Sequence, residues 1–252
     1  MRTDAEFSSR FGKMKYFTLG DGEEFAVIIQ GWATNRSLYD AIVSSLAEKY
    51  TVIFPALQGF GESDEPQGAM SVSDYAEAIN ELLAHLGIKK ARFFCHSFGG
   101  RVFFKLNAME NRFTEPLSVT LCDVAGIVPK KSLITKVKVR FFKIMKKISP
   151  RLSEKMRKKV GSADYNAASP VMRKTLVLAV NEDLRHLFSL VSVPALIMWG
   201  KNDSAVPLSD AYIIEKAISD SAVIVFEHSD HFPFLTERAR FLAVLRSFFN
   251  ID

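Results

Sequence analysis

One serine of the chain lies among residues suited to nucleophilic chemistry. Ser97 is in residues 95–100, CHSFGG, between the apolar run RFFC and a segment with helical periodicity. At the apex of a tight strand-to-helix turn, a serine hydroxyl projects above the sheet beside the N–H groups of the helix N-terminus. The glycines suit such a turn. Cys95, however, stands where the G-x-S-x-G motif of such turns has its first glycine. A serine that only caps the following helix is the alternative.

A serine nucleophile needs a histidine base and a carboxylate that orients the histidine. Asp203 lies in the segment GKNDSAVP after the apolar run ALIMW, and His231 lies in EHSDHFPFLTE after the run AVIVF. Both therefore follow predicted strands, in the order Ser, Asp, His. His228 is the alternative base, and Asp123, directly after the run VTLC, is the alternative acid.

These side chains have to be positioned by strands that end at a common edge of one sheet. Short β-branched and aromatic runs alternate with helical patterns, which is typical of a mostly parallel sheet flanked by helices, an α/β fold. Near-continuous apolar runs predict buried parallel strands. They span Phe25–Ile29, Thr51–Phe54, Arg92–Cys95, Val119–Cys122, Ala195–Trp199 and Ala222–Phe226. Helical spacing predicts helices over 37–46, 73–86, 99–109, 208–218 and 236–249.

The strand–helix alternation is interrupted once. We predict a core domain of residues 1–127 and 191–252, with residues 128–190 as a helical insertion. Between Lys130 and Lys159 there are thirteen Lys and Arg and one acid, a net +12 in a chain of net charge +5. Such a segment could contact anionic lipid or guide an acidic substrate. We favour the alternative of a cap helix whose apolar residues face the site while its lysines face water.

Several motifs together resemble those of the α/β-hydrolase superfamily, from about Phe25 to Phe249. Residues 30–32, QGW, are similar to its HG-x oxyanion loop, and residues 58–63, QGFGES, to its PG-x-G-x-S turn. CHSFGG resembles the family's nucleophile elbow, while GKNDSAVP and HFPFLTE resemble its acid and histidine loops. The helical insertion falls where that family carries its cap domain.

The resemblance implies a role for each site residue. Ser97 would be the nucleophile, His231 the base and Asp203 the acid of a catalytic triad. The backbone N–H groups of Trp32 and Phe98 would form the oxyanion hole. The expected function is that of a serine esterase, which cleaves a carboxylic ester or related acyl bond of a small substrate through an acyl-enzyme, with no cofactor and no metal.

Three positions depart from the family's pattern. Gln30 replaces the usual His of the oxyanion loop, Ala56 stands where the turn motif usually begins with Asp, and Cys95 replaces the elbow glycine. None of these changes removes a triad side chain or a backbone donor. A serine at the apex, Ser97, also separates the chain from members that displace halide or open epoxides, which use Asp there.

Composition excludes several other classes of protein. The chain has 252 residues, of which 48% are hydrophobic and 24% charged, so a disordered or fibrous protein is not expected. No apolar run approaches the ~18 residues of a membrane span, and the start, MRTDAEFSSR, has no apolar core of a signal peptide. Because only Cys95 and Cys122 are present, we expect a cytoplasmic protein without a disulfide framework.

The expected partner is a small-molecule acyl substrate. A basic run without a recognised binding module does not predict a nucleic-acid partner. Aromatic residues that should border the pocket suggest a partly apolar substrate; they are Trp32, Phe60, Phe98, Phe141, Phe142, Phe232 and Phe234. A ligand sensor or a lyase that keeps the triad remains an alternative. A small-peptide aminopeptidase would need an acidic group in the cap, which the basic composition disfavours.

Overall fold

An eight-stranded sheet, ordered β1-β2-β4-β3-β5-β6-β7-β8, forms the centre of the molecule. The computed structural model describes residues 3–128 and 163–252. Strands β3 to β8 run parallel to one another, whereas β1 and β2 form an antiparallel hairpin that joins the sheet through β4. The strands are β1 Thr3–Ser9, β2 Gly12–Leu19, β3 Phe25–Ile29, β4 Thr51–Pro55, β5 Lys90–His96, β6 Glu115–Cys122, β7 Ala195–Gly200 and β8 Ser221–Phe226.

The six apolar runs are the six parallel strands, and the predicted α/β fold is confirmed. The N-terminal hairpin was not predicted. In β1 and β2, TDAEFSS and GKMKYFTL, charged or polar residues alternate with apolar ones, and many positions are exposed or half-buried. Such an antiparallel edge needs no continuous apolar run, which is why a search for buried strands passes over it.

Helices cover both faces of the sheet. Alternate residues of a strand point to opposite faces, so Phe93 packs in one apolar core with α2 and α3, while Phe94 packs in the other with α1 and α9. A 3₁₀ turn, Arg36–Tyr39, precedes the first helix. The helices are α1 Asp40–Leu46, α2 Val72–His85, α3 Phe98–Asn107, α4 Ala163–Ala167, α5 Pro170–Asn181, α6 Arg185–Phe188, α7 Leu208–Ala217, α8 Pro233–Thr236 and α9 Arg238–Phe248.

The insertion is described only from residue 163, where α4, α5 and α6 follow one another. The basic amphipathic helix expected around Leu133 to Ile148 lies outside the described residues. Helix α5 begins with Ser169 as its cap, whose hydroxyl accepts a hydrogen bond from the Met172 N–H, and with Pro170 as its first residue. No helix of the described ranges is long and apolar enough to cross a lipid bilayer.

Candidate active site

Ser97 follows β5 in a backbone conformation that side chains rarely adopt, with φ 50° and ψ −111°. Among the described residues, Ala33 and Asp123 also have positive φ, and both lie just beyond the carboxyl ends of neighbouring strands. Gly99 is required here because a Cβ at that position would collide with the carbonyl oxygen of Ile29. Strain of this kind persists where surrounding packing holds it, and it concentrates at functional sites.

A chain of hydrogen bonds connects Ser97, His231 and Asp203. The Ser97 hydroxyl lies 2.9 Å from Nε2 of His231, and Nδ1 of His231 lies 2.7 Å from Oδ2 of Asp203. Since an ionised carboxylate only accepts, Nδ1 carries the ring proton and Nε2 is free to accept from the serine. The structure therefore brings together the serine, histidine and aspartate that the sequence singled out.

Asp203 is held as a charged carboxylate. Its Oδ1 accepts from the backbone N–H groups of Ala205, at 2.7 Å, and Val206, at 3.0 Å, while its Oδ2 accepts from His231. Burial raises the pKa of Asp203, but the hydrogen bond and charge of His231 and the two backbone donors outweigh burial and bring the pKa below its usual value. The side chain of Asp203 is inaccessible to solvent, whereas that of His231 is 17% exposed.

The predicted oxyanion donors are the backbone N–H groups of Phe98 and Trp32, which lie near Ser97. Phe98 is the first residue of α3, so its N–H has no acceptor within the helix. In the described parts of the chain, the N–H of Trp32 also has no hydrogen-bond acceptor. The rings of Trp32 and Phe98 pack edge to face with centroids 5.4 Å apart. Both residues are thereby fixed next to the serine turn.

A second polar network, behind Ser97, connects three loops. The hydroxyl of Tyr39 accepts from the Gly31 N–H at 2.9 Å and lies 2.9 Å from Nδ1 of His96. Nε2 of His96 donates to the backbone carbonyl of His231 at 3.0 Å, so Nδ1 accepts from Tyr39. Burial and the nearby His231 lower the pKa of His96 to about 3, and its ring stays neutral. The oxyanion loop, the serine turn and the histidine loop are thus joined. No sequence motif marks Tyr39, and His96 is fully buried beneath the serine turn.

The three departures from the family's motifs make different local contacts. The side-chain amide of Gln30 donates to the carbonyl of Thr34 at 2.6 Å and so closes the oxyanion loop. The backbone carbonyl of Ala56 stabilises its turn by accepting a hydrogen bond from the hydroxyl of Ser63 at 2.6 Å. Cys95 is a buried residue of β5 without positive φ, so its position makes no demand for glycine.

The alternative base and acid occupy different surroundings. His228 is exposed and its backbone N–H donates to Glu237, whereas the histidine hydrogen-bonded to Ser97 is His231. Asp123, by contrast, is fully buried. One ligand atom each from Asp123, Asp203 and His231 lies within 4.8 Å of the other two, which is also the spacing of metal ligands. Here, however, His231 and Asp203 are already engaged with one another and with Ser97 and backbone donors.

A cavity of about 290 Å³ lies beside the oxyanion loop. Its described walls combine the apolar side chains of Trp32, Phe60 and Met172 with the carboxylates of Glu65 and Asp164. The centroids of Trp32 and Phe60 are 4.8 Å apart. Of the other aromatic residues expected at the pocket, Phe141 and Phe142 lie outside the described residues, and Phe232 and Phe234 pack against His96.

Known proteins with similar sequences or structures agree on the fold. A family model described as the alpha/beta hydrolase family matches residues 26–244. The pimeloyl-(acyl-carrier protein) methyl ester esterase of Aliivibrio fischeri is 28% identical over 258 residues, covering 92% of this chain and 96% of that protein. An esterase structure from Exiguobacterium antarcticum has a TM-score of 0.79 at 23% identity, covering 98% of this chain and 99% of that chain. A bromoperoxidase structure from Bacillus anthracis has a TM-score of 0.78 at 19% identity, covering 98% and 100%. Because proteins named for different activities share this architecture, the fold alone does not decide the reaction.

Proposed function

This chain belongs to the alpha/beta hydrolase family, and from that premise we propose that it is a serine esterase acting on small, partly apolar acyl substrates through an acyl-enzyme. The observation that carries the proposal is the continuous hydrogen-bonded chain from Ser97 through His231 to Asp203. A neutral imidazole that accepts from the serine and donates to a buried carboxylate is the arrangement that activates a serine hydroxyl.

In the proposed first step, Ser97 Oγ attacks the carbonyl carbon of the ester. Its proton passes to Nε2 of His231 over the 2.9 Å hydrogen bond, and Asp203 stabilises the imidazolium that forms. The negative charge on the substrate's carbonyl oxygen is received by the N–H groups of Trp32 and Phe98. The imidazolium then returns the proton to the departing alcohol, which leaves an acyl-serine.

In the second step, water replaces the alcohol. His231 takes a proton from the water, hydroxide adds to the acyl carbon, and the same two N–H groups receive the charge again. Collapse of this intermediate releases the carboxylic acid and returns the proton to Ser97. The free enzyme is restored without a cofactor or a change in oxidation state.

We further propose that residues 128–190 form the cap over this site. The described part of the segment supports this proposal through its contacts with the core. The hydroxyl of Thr175 on α5 accepts from the N–H of Met70 at 3.0 Å, and Met172 packs over Gly59, where a Cβ would meet its sulfur. Substrate would then lie between the oxyanion loop and the α4–α5 region.

The acyl preference is tested with p-nitrophenyl esters from acetate to decanoate. We expect steady turnover with a maximum at one chain length, because the described cavity is small and lined by Trp32, Phe60 and Met172. Ser97→Ala should lose this turnover while its melting temperature stays within a few degrees of the wild-type value. Turnover that is equal in the variant and the wild type would refute the proposal.

Methyl esters belong in the same experiment. The Aliivibrio fischeri relative is named for the methyl ester of a pimeloyl group on acyl-carrier protein. Pimelate monomethyl ester, presented as a simple thioester and as a free acid, would therefore test whether this chain removes a methyl group from the far end of an acyl chain.

A further inference from the structure

Asp123 is a buried carboxyl group that the proposed reaction does not use. It follows β6 directly, has φ 46° and is inaccessible to solvent. Its Oδ1 accepts from the N–H of Gly200 at 2.9 Å, and its Oδ2 accepts from the thiol of Cys122 at 3.3 Å. The carboxyl therefore lies between the ends of β6 and β7, beside Asp203.

One carboxyl oxygen of Asp123 and one of Asp203 lie within 4.8 Å of each other, and both side chains are inaccessible to solvent. Two buried carboxyl groups this close repel each other when both are charged, which favours a proton on one of them. The titratable groups around Asp123 are Cys122 on β6, Asp203 after β7 and His231 after β8, with His96 of β5 against His231. None of these is a permanent cation that could neutralise a second carboxylate.

The hydrogen-bond donors decide which group holds the proton. Asp203 accepts from three N–H groups, those of Ala205, Val206 and His231, whereas Asp123 accepts from the single N–H of Gly200 and a weak thiol donor. Donors of this kind favour the charged form. A carboxylate has about four acceptor positions, so Asp203 has one position left for an O–H donor.

We propose that Asp123 is a neutral acid that donates its proton to Asp203, positions the Asp203 carboxylate against His231, and replaces it as the acid when Asp203 is removed. This proposal rests on the proposed function, because it concerns the same histidine. Burial first, and then the nearby charge of Asp203, raise the pKa of Asp123 well above its usual value, in agreement with a protonated group.

Asp123 lies close enough to His231 to take the place of Asp203. An oxygen of Asp123 already lies within 4.8 Å of a ring nitrogen of His231. In Asp203→Ala the intervening carboxylate is gone, and Asp123 loses the partner that kept it neutral. Ionised Asp123 can then accept from Nδ1 of His231, so the ring keeps the tautomer that leaves Nε2 free for Ser97.

If the role of Asp123 is purely structural, its only task is to accept the hydrogen bond from the Gly200 N–H and so hold β6 beside β7. The variants below should then behave differently. Asparagine preserves that hydrogen bond, since its carbonyl oxygen can accept from Gly200, and asparagine tolerates positive φ. Asp123→Asn therefore removes the carboxyl group and its proton while keeping the local backbone. Its melting temperature is measured beside every rate, and Asp123→Ala provides a comparison that loses the hydrogen bond.

The test is a double-mutant cycle read as the rate of fluorophosphonate labelling at Ser97, which requires no knowledge of the natural substrate. We expect Asp123→Asn to slow labelling about threefold in the wild-type background but at least tenfold in the Asp203→Ala background. Asp203→Asn serves as a second background in case Asp203→Ala does not fold. Equal fold-changes in both backgrounds would overturn the role of replacement acid.

An infrared difference spectrum at neutral pH tests the shared proton independently. Wild type minus Asp123→Asn should contain the C=O stretching band of a protonated carboxyl group. If carboxylate bands appear in its place, Asp123 is ionised and the proposal is wrong. If wild-type Ser97 is not labelled at all, the proposed function fails, a result distinct from normal labelling with equal fold-changes.

Discussion

The loops at the carboxyl ends of β5, β7 and β8 differ in construction from the segment of residues 163–190. In the loops, the side chains of His96 and Asp203 are buried, each with hydrogen bonds to at least two partners, and backbone strain at Ser97 is held by close packing. The 163–190 segment also contacts the core through hydrogen bonds, from Arg101 to the Glu182 carbonyl, from Asn107 to the Leu190 carbonyl and from Met70 to Thr175, but it exposes apolar side chains. Val177, Leu178 and Val180 on α5 are close to half exposed.

We interpret this difference as a division between proton transfer, in the loops, and substrate selection, in the 163–190 segment. Groups that move protons need fixed distances, and these groups are on loops anchored by buried parallel strands. In our proposal, selection of the substrate falls to the 163–190 segment, whose α4 and α5 residues line the described cavity. Changes in the loops should therefore alter kcat, whereas changes in the 163–190 segment should alter KM.

The largest effect is expected at the histidine. His231→Ala removes the group that accepts the proton of Ser97, so kcat should fall at least a thousandfold. His228→Ala is the matched control, because this histidine is only three residues away, is exposed and should leave kcat unchanged. Steady-state kinetics on one p-nitrophenyl ester distinguishes them. A large loss in the His228 variant instead would mean that the base has been misassigned.

Because His96 is neutral in the folded protein, we expect the free energy of unfolding to depend on pH. Because its pKa falls from 6.5 to about 3 on folding, the unfolded chain binds more protons between these values. Stability from this residue is full above pH 6.5 and is lost as the pH falls towards 3. At pH 5 the loss should be about 2 kcal/mol.

Denaturant unfolding of wild type and His96→Gln between pH 7 and pH 4.5 measures this contribution. The glutamine can still donate to the carbonyl of His231 but does not titrate. Its free energy of unfolding should therefore decline less steeply with falling pH. Parallel curves for the two proteins would show that His96 is not the source of the slope.

The Tyr39 network should affect the rate rather than binding. Tyr39→Phe leaves the Gly31 N–H and Nδ1 of His96 without their partner, and the loosened loop carries the Trp32 donor. We expect kcat to fall about tenfold, or ~1.4 kcal/mol, because two buried groups lose their hydrogen-bond partner, with KM little changed. Tyr212→Phe, on the exposed face of α7, is the control. A rise in KM alone would contradict the positioning role.

The smallest effect is expected in the 163–190 segment. Ala168→Leu adds bulk to the wall of the cavity beside Trp32, so KM for long acyl chains should rise about three- to fivefold, the scale of one buried methylene at ~0.8 kcal/mol. The kcat for the acetate ester should not change. Ala163→Leu, on an exposed position outside the cavity, should alter neither constant. A loss of kcat in Ala168→Leu would contradict the assignment of kcat to the loops and KM to the 163–190 segment.

The elements that the sequence predicts are those that carry a recognisable apolar pattern. Parallel strands are recognisable because burial on both faces requires apolar runs, and Ser97, Asp203 and His231 stand directly after such runs. The hairpin of β1 and β2 lacks that pattern. Tyr39 was missed because its importance depends on three loops that are distant in sequence.

The pairing of Asp123 with Asp203 was also beyond sequence reasoning. The chain offers two carboxylates after two different strands, and either one could orient a histidine from a loop. Only the register of β6 beside β7, with Cys122 opposite Met198, brings both to the same ring. What appeared as two competing assignments is one cluster in three dimensions.

The most direct test of the central claim is peptide mapping of the protein after reaction with a fluorophosphonate probe. We predict one adduct, on Ser97, that forms in the native protein and is absent both after denaturation and in Ser97→Ala. An adduct on another serine, or none in a folded protein, would contradict the assignment of Ser97 as the nucleophile.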